Sequence, residues 1–562
     1  MQPTRTPTLD KFLDETNNIL AVKNGQQLQS YLIIEPPFND LYNSMISEIR
    51  NQYPKGKEEA LESKCQRALP QAQEDEDGSS WSTFVKFIAN YFAFIRDVDV
   101  KNLLDTYNLL SELQQKCNSA LTHPMKGLVI LPTVIAYARV FARLAIGLDK
   151  RPELIADLVT HNSFEEDGAR ETLPERAANI LRNAFVTCLN DRGTTASGVK
   201  DGKPDGKKVG IYTLANLCLK ILFQCDKKAN AEQIFSNIYN QSPPLSIYPA
   251  SERVTYLYYL GRFHFATNHF YPAQLALQAA YDECLASPSS LRQRRLILIY
   301  LIASNLILGR FPAATLYARP EAAGLQERFY PLCRAIATGN LEAFRRLTDL
   351  SHPHAPWFLH FRIFIQIEHR CEVLVWRSLF RRAFLLAGVQ GDNVSRRAPT
   401  LDLNDVLTLF TYLEKRALTP LSQLDAGPGR RHTNWIFMSS DPPADAYYID
   451  PDFAGLPEEF KPSLRLPSIL EMESICSSLI YQGFLNGFVS HKLKRFAIQG
   501  AKRKGGALAA GFPTPWDVIK AKSTEECPGW KKDEAVGAGR FGAGMVVNLS
   551  GARPVGAGTF ES

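Results

Sequence analysis

Apolar residues recur at spacings of three and four along most of this chain. In "WSTFVKFIANYFAFIRDV" (81–98), Phe84, Ile88, Tyr91, Phe92 and Ile95 fall on one stripe, which predicts a helix with a single buried face. "LPTVIAYARVFARLAIGL" (131–148) repeats the arrangement, and no long run of alternating strands precedes residue 484. Helices are expected to dominate.

Between 256 and 350 the helical pattern recurs as degenerate pairs. "YLYYLGRFHFATNHFYPAQLALQAAYDECL" (256–285) reads as helix, a turn at Asn268–Tyr271, and a second helix starting at Pro272. Proline is tolerated in a first helical turn because its missing N–H has no helical acceptor there. "LILIYLIASNLILGRFPAATLYA" (296–318) and "FYPLCRAIATGNLEAFRRLTDL" (329–350) follow the same form, and Ala273, Ala313 and Ala343 sit near the same point of each unit. Small residues at that point are expected where paired helices approach closely. The pattern predicts an α-solenoid of the tetratricopeptide kind, a right-handed superhelical stack of helix pairs, which supplies surface rather than chemistry.

The pattern changes at "LIYQGFLNGFVSHKLKRFAIQG" (479–500), where a helix runs into a glycine and two short apolar strands flank a basic turn. Upstream, Ser468 and Glu471 fit a capping box; Ile469, Met472, Ile475 and Leu479 form the stripe, and Gly483 is placed to end the helix. Phe488 is expected to share a sheet face with Phe496 and Ile498. A lone two-stranded sheet is marginal in water, so it must pack on helices. "LDLNDVLTLFTYLEKRAL" (401–418) is the natural companion helix. Helix, helix and β-hairpin make a winged helix. The expected fold is therefore all-α, a TPR-like stack capped by a C-terminal winged helix with a small hairpin.

A repeat array capped in this way resembles the PCI domain of scaffold subunits in the proteasome lid, the signalosome and a translation initiation factor. "VLVWRSLFRRAFLL" (373–386) and "LEMESICSSLIYQGFLNGFVSHKLKRFAI" (470–498) are similar to the branch that holds signalosome subunit 12 and its relatives in the TREX-2 mRNA-export complex. That branch carries an "LIYxGxIxGYISH" core followed by a basic strand. Leu479, Ile480, Tyr481, Gly483, Gly487, Ser490 and His491 match it, while Leu485, Phe488 and Val489 are conservative departures. The resemblance covers roughly residues 210 to 516. It implies a non-catalytic scaffold that binds a larger export-complex scaffold protein, a small acidic partner shared with the proteasome lid, and RNA or DNA without sequence preference. It also implies residence in the nucleus, with the cytoplasm as a second location. The export and signalosome branches share the motif, so both assemblies stay open.

Polar and proline- or glycine-rich segments divide the chain. "QAQEDEDGSS" (71–80) and 190–210 look like connections, and prolines within 419–467 forbid long helices there. The expected organisation is an N-terminal helical region (1–190), the helical-repeat part of the PCI domain (211–400), a winged helix (401–505) interrupted by a 419–467 insertion, and a mostly disordered tail (506–562). At 562 residues the chain exceeds what one core usually serves.

Composition adds little: 45% hydrophobic and 22% charged residues are ordinary for a globular protein, and a net charge of +6 is mild over this length. The N-terminus "MQPTRTPTLDKF" has no signal-peptide pattern. The most apolar stretch, 296–308, is shorter than a bilayer span, so no membrane contact is expected. Ten scattered cysteines without a Cys-x-x-Cys pair read as reduced, buried small hydrophobes.

Charge matters locally. Lys492, Lys494, Arg495, Lys502, Arg503 and Lys504 form a run without an acid, and on a projecting hairpin such side chains suit phosphates without reading bases. The competing reading is a solvated sheet edge kept from aggregating by lysines. Arg377, Arg381 and Arg382 either extend the patch or solvate a helix. Glu471 and Glu473 on the presumed recognition helix oppose groove insertion. Tyr481, Phe484, Phe488 and Trp516 are aromatic candidates for interface anchors.

Three enzyme-like signals fail on context. "GAGRFG" (537–542) lacks the strand and helix a dinucleotide loop needs, and "GTTASGVK" (193–200) has Val199 where a phosphate loop needs lysine. His352 and His354 match a His-x-His metal pair, with His360, His369 and Cys371 nearby, but the serine and aspartate that should follow are missing. No catalytic residue, metal site or cofactor is assigned.

Overall fold

The stripe at 81–98 folds as the helix Ser82–Asp97 and buries Phe84, Ile88, Tyr91, Phe92 and Ile95 together. The chain is seen in a computed structural model that describes residues 6–72, 80–99, 101–151, 172–192, 198–391, 397–418 and 468–531, with Glu153 and Gly455. Ser82–Asp97 packs on Leu103–Leu121, which packs on Gly127–Lys150, which in turn meets Leu173–Leu189. The first two connections, each of five residues, are short and keep sequence neighbours adjacent in space.

Gly127–Lys150 is the one helix among the described residues long and apolar enough to cross a membrane. It lies between two others, buries Val134, Tyr137, Ala138 and Phe141, and ties the Tyr137 hydroxyl to the Leu32 carbonyl at 3.0 Å. Its apolar character is that of a core helix packed on several sides.

The repeat stack begins with Ile211–Gln224 and Lys228–Gln241. The pair Ala250–Ala266 and Phe270–Glu283 follows, with Pro272 in the first turn of its second helix. Close approach in this pair is set by Gly261 as well as by the buried Ala273: a Cβ on Gly261 would stand 2.5 Å from Leu277 Cγ. In the next unit Leu291–Ile307 is followed only by Ala314–Tyr317, a single turn, so Ala313 is exposed rather than packed at a helix crossing. Leu325–Thr338 and Leu341–Leu347 restore the pairing. There the Asn340 side chain caps by accepting from the Ala343 N–H at 3.1 Å. Phe364–Ala387, which contains the 373–386 motif, is the last and longest helix of the stack.

The segment 190–210, expected as a plain connection, is partly structured. Strands β1 (Val199–Lys200) and β2 (Lys203–Pro204) pair, and Lys207 is buried with Nζ 3.0 Å from the His123 carbonyl and 3.6 Å from Asp191 Oδ1. Residues 73–79, 193–197, nearly all of 419–467 and everything after 531 lie outside the described residues.

The cap differs from expectation in three ways. Leu401 and Asp402 do not open the companion helix. They belong to strand β3 (Thr400–Asp402), and the helix is Leu403–Leu418. The sheet therefore has three strands, because β3 adds to β5 (Arg495–Ile498) on the side away from β4 (Gly487–Ser490), giving the antiparallel order β3-β5-β4. Second, Phe488 stands opposite Ala497 while Val489 stands opposite Phe496, so Phe488 faces away from Phe496 and Ile498. The four-residue turn sets Ser490 against Arg495, and this parity fixes every side chain's face.

Third, the chain after 505 is not all tail. Ala507–Gly511 and Pro515–Lys522 are helical, and residues up to Trp530 run back along the repeats. Arg377 Nη2 donates to the carbonyls of Phe512 and Pro513, both at 2.8 Å. The Arg310 guanidinium lies 4.4 Å over the Trp516 ring, and the Tyr256 hydroxyl donates to the Gly529 carbonyl at 2.6 Å. One hydrophobic cluster runs from Leu9 to Cys527, so cap, stack and strap share a core.

Candidate nucleic-acid and partner interface

Ile469–Gln482 starts where the capping box predicts. The Ser468 hydroxyl accepts from the Glu471 N–H at 3.3 Å, and the Glu471 carboxylate accepts from the Ser468 N–H. It ends at Gly483, whose φ of +85° lies in the left-handed region that suits glycine. Met472, Cys476 and Leu479 are buried, and Ile469 and Ile475 pack partly against the same core. The companion helix buries Val406, Phe410 and Leu413, and Trp376 of the stack lies parallel to the Phe410 ring with centroids 5.5 Å apart. Phe512 bridges the two bodies, 5.6 Å from Phe384 and 6.2 Å from Phe496.

The wing closes tightly because Gly487 allows it: a Cβ there would sit 2.1 Å from the Ala497 carbonyl oxygen. His491–Lys494 form the turn, with Lys494 at φ +52°, and Arg495 opens β5. All six basic candidates are exposed. They do not form one cluster. Lys492, Lys494 and Arg495 stand at the turn end of β5, and Lys502, Arg503 and Lys504 lie beyond its other end, with about 10 Å of strand between. Arg495 Nε is 3.5 Å from Asp402 Oδ2, so its charge is partly offset, while the other five make no ion pair among the described residues.

The carboxylates on the helix are both engaged. Glu471 closes the cap, and Glu473 pairs with His491 Nδ1 at 2.8 Å, tying the wing to the helix. The outward face carries Leu470, Ser474, Ser477, Ser478 and Tyr481, with Tyr481 91% exposed. Phe488 is half-exposed on the outer sheet face, Phe484 is buried, and Trp516 is held by Arg310.

Arg377 does not extend the patch. It is directed at the strap, and burial together with neighbouring Arg381 pushes its pKa down to about 10. Arg382 donates to the Thr338 carbonyl at 3.2 Å, which leaves Arg381 as the exposed member. A cavity of about 450 Å³ lies between the strap and the stack, with Phe311, Arg377, Arg381 and Pro515 in its wall.

His352 and His354 place their rings 5.3 Å apart. No group of three metal-ligand side chains occurs among the described residues. The "GAGRFG" match lies outside those residues, and in "GTTASGVK" the described end, Val199–Lys200, is β1. Two contributors escaped sequence reading, Asp402 beside Arg495 and Glu473 beside His491. Both arise from pairings across 93 and 18 residues that only the fold reveals.

A helical repeat stack closed by a winged helix, whose companion helix packs on the last long helix of the stack, is consistent with a helical PCI fold. No family model matches the chain. It is similar to a PCI domain-containing protein of Schizosaccharomyces pombe, 24% identical over 86% of this chain and 91% of the relative. A CSN12 homolog of Gibberella zeae is 25% identical over 63% of this chain and 67% of its own length. PCI domain-containing protein 2 of Xenopus laevis is 30% identical over 38% and 49%. The chain is therefore similar to PCI domain-containing proteins and to CSN12 homologs over much of its length.

Proposed function

We propose that this chain holds partner proteins in a nuclear TREX-2-like mRNA-export assembly or a signalosome-related one, and binds RNA or DNA non-specifically through the winged helix. The partners are a larger export-complex scaffold protein and a small acidic protein shared with the proteasome lid. The reading rests on the wing: five exposed cations without ion pairs among the described residues flank a strand braced on the helical stack. Such charges attract phosphate without base readout and make affinity salt-dependent. Work in both nucleus and cytoplasm fits an export role.

A second reading has its own support. The outward helix face carries Leu470 and the nearly bare Tyr481, and Arg495 is offset by Asp402. These features suit a purely protein-binding subunit of a signalosome or proteasome-lid-like assembly. Affinity purification of the full chain with identification of the co-purifying chains separates the two. Export-complex subunits and RNA support the first, signalosome subunits without RNA support the second, and recovery of the chain alone overturns both.

A further inference from the structure

The cavity of about 450 Å³ between stack and strap has the size of a small-molecule site. Its walls are mainly apolar. Ile336 and Leu374 come from the stack helices Leu325–Thr338 and Phe364–Ala387, Leu508 and Phe512 from the strap, and Phe311 and Pro515 from the edges where the two meet. Gly309 lets the strap close there, since a Cβ on it would stand 2.6 Å from Pro515 Cβ.

Two cations share this apolar chamber. Arg377 Nη2 is occupied by the Phe512 and Pro513 carbonyls, but its Nε is buried with no hydrogen-bond partner among the described residues. Arg381 lies one helical turn further along the same wall and is exposed at the rim. The lining contains no aspartate or glutamate. Although burial and Arg381 push the Arg377 pKa down to about 10, the guanidinium is still charged at neutral pH. A desolvated charge without a counter-ion is costly, and an anion placed beside it recovers part of that cost.

We propose that this cavity is a small-molecule site for a monocarboxylate with a short aliphatic or aromatic body. The carboxylate meets Arg377 and Arg381, and a guanidinium edge suits its paired oxygens. The body lies between Ile336 and Leu374 on one side and Leu508 and Phe512 on the other. A polyanion fits less well, because two cations set in an apolar wall do not balance several charges. A partner chain fits less well too, because specific protein interfaces bury about 1,200–2,000 Å² and this cavity offers one anchor point. A ligand that touches both walls binds the seated strap and not a released one, so it holds the strap on the stack by mass action.

The test uses the full chain, with calorimetric titration for affinity and hydrogen exchange over the two strap helices for structure. Octanoate is the probe. Octanol shares its chain without the charge, and acetyl-Leu-Phe with a free carboxylate represents a peptide end. Octanoate is expected to bind about tenfold or more tightly than either, and to slow exchange across Ala507–Gly511 and Pro515–Lys522. Arg381→Gln is expected to weaken octanoate several-fold. Ala337→Trp, which fills the cavity from an exposed position in its wall, is expected to abolish binding, with the melting temperature of the free protein unchanged. If that variant does not fold, Arg381→Gln decides alone. Absence of octanoate binding, equal affinity for octanol, or affinity that survives these substitutions overturns the site. Tighter binding of the dipeptide than of octanoate overturns its assignment to a small molecule.

Discussion

The imidazole of His264, inside the repeat stack, donates its Nε2 hydrogen to the Pro528 carbonyl at 2.8 Å, joining positions 264 residues apart. Its Nδ1 is buried without a hydrogen-bond partner among the described residues, and the His269 ring stands 6.2 Å away. Burial holds the His264 pKa below the ordinary histidine value, helped by His269 and opposed by the bond to Pro528. The unfolded chain takes up this proton at about pH 6.5, so the folded form binds fewer protons below that point. Stability from this group is full above about pH 6.5 and is lost as the pH falls below it. Hydrogen-exchange protection at Cys527–Trp530, taken relative to the intrinsic exchange rate at each pH, is expected to fall as the pH drops from 7.5 to 5.5. His264→Gln, which keeps a donor near Nε2 and cannot titrate, is expected to abolish that dependence.

Arg377 supports the same strap from the other side. Removing its two bonds strands the Phe512 and Pro513 carbonyls next to a cavity. Arg377→Met is expected to cost about 1–3 kcal/mol in denaturant unfolding and to raise protease cleavage within 507–531. A neutral result on both readouts contradicts the strap's role in seating the cap.

The register of the wing makes a sharper distinction. Phe496 is fully buried and packs edge-on to Phe512, whereas Phe488, one strand away, faces solvent. Phe496→Ala is expected to destabilise by about 3–5 kcal/mol, as large-to-small core changes do. Phe488→Ala is expected to cost less than about 1 kcal/mol. Equal losses from the two substitutions contradict the pairing of Phe488 with Ala497.

The helices, the capping box at Ser468, the end at Gly483 and the winged helix itself were legible because each writes a local signal. Stripes, caps and left-handed glycines need no distant partner. The third strand was not legible: Thr400–Asp402 is short and continuous with a strong helical pattern, and only pairing with β5 reveals it. The strap was missed because Ala507–Gly511 and Pro515–Lys522 are too short for periodicity, and their hold comes from single contacts to Arg377, Arg310 and Tyr256. Of the basic candidates, exposure was readable. The division into two clusters and the offset of Arg495 by Asp402 were not, since a linear run hides which end of a strand each residue occupies. The cavity beside Arg377 left no trace in the sequence because its two walls, at Arg377 and Phe512, are 135 residues apart.

Binding of single-stranded RNA by the purified full chain, measured as affinity against salt concentration, tests the cationic wing most directly. A log–log slope reflecting about 0.7 per phosphate contact is expected. Lys492→Glu with Lys494→Glu should weaken binding for every RNA sequence alike and lower that slope by about 1–2, with the melting temperature unchanged. An affinity indifferent to salt, or one that survives the double reversal, contradicts a wing that grips phosphate.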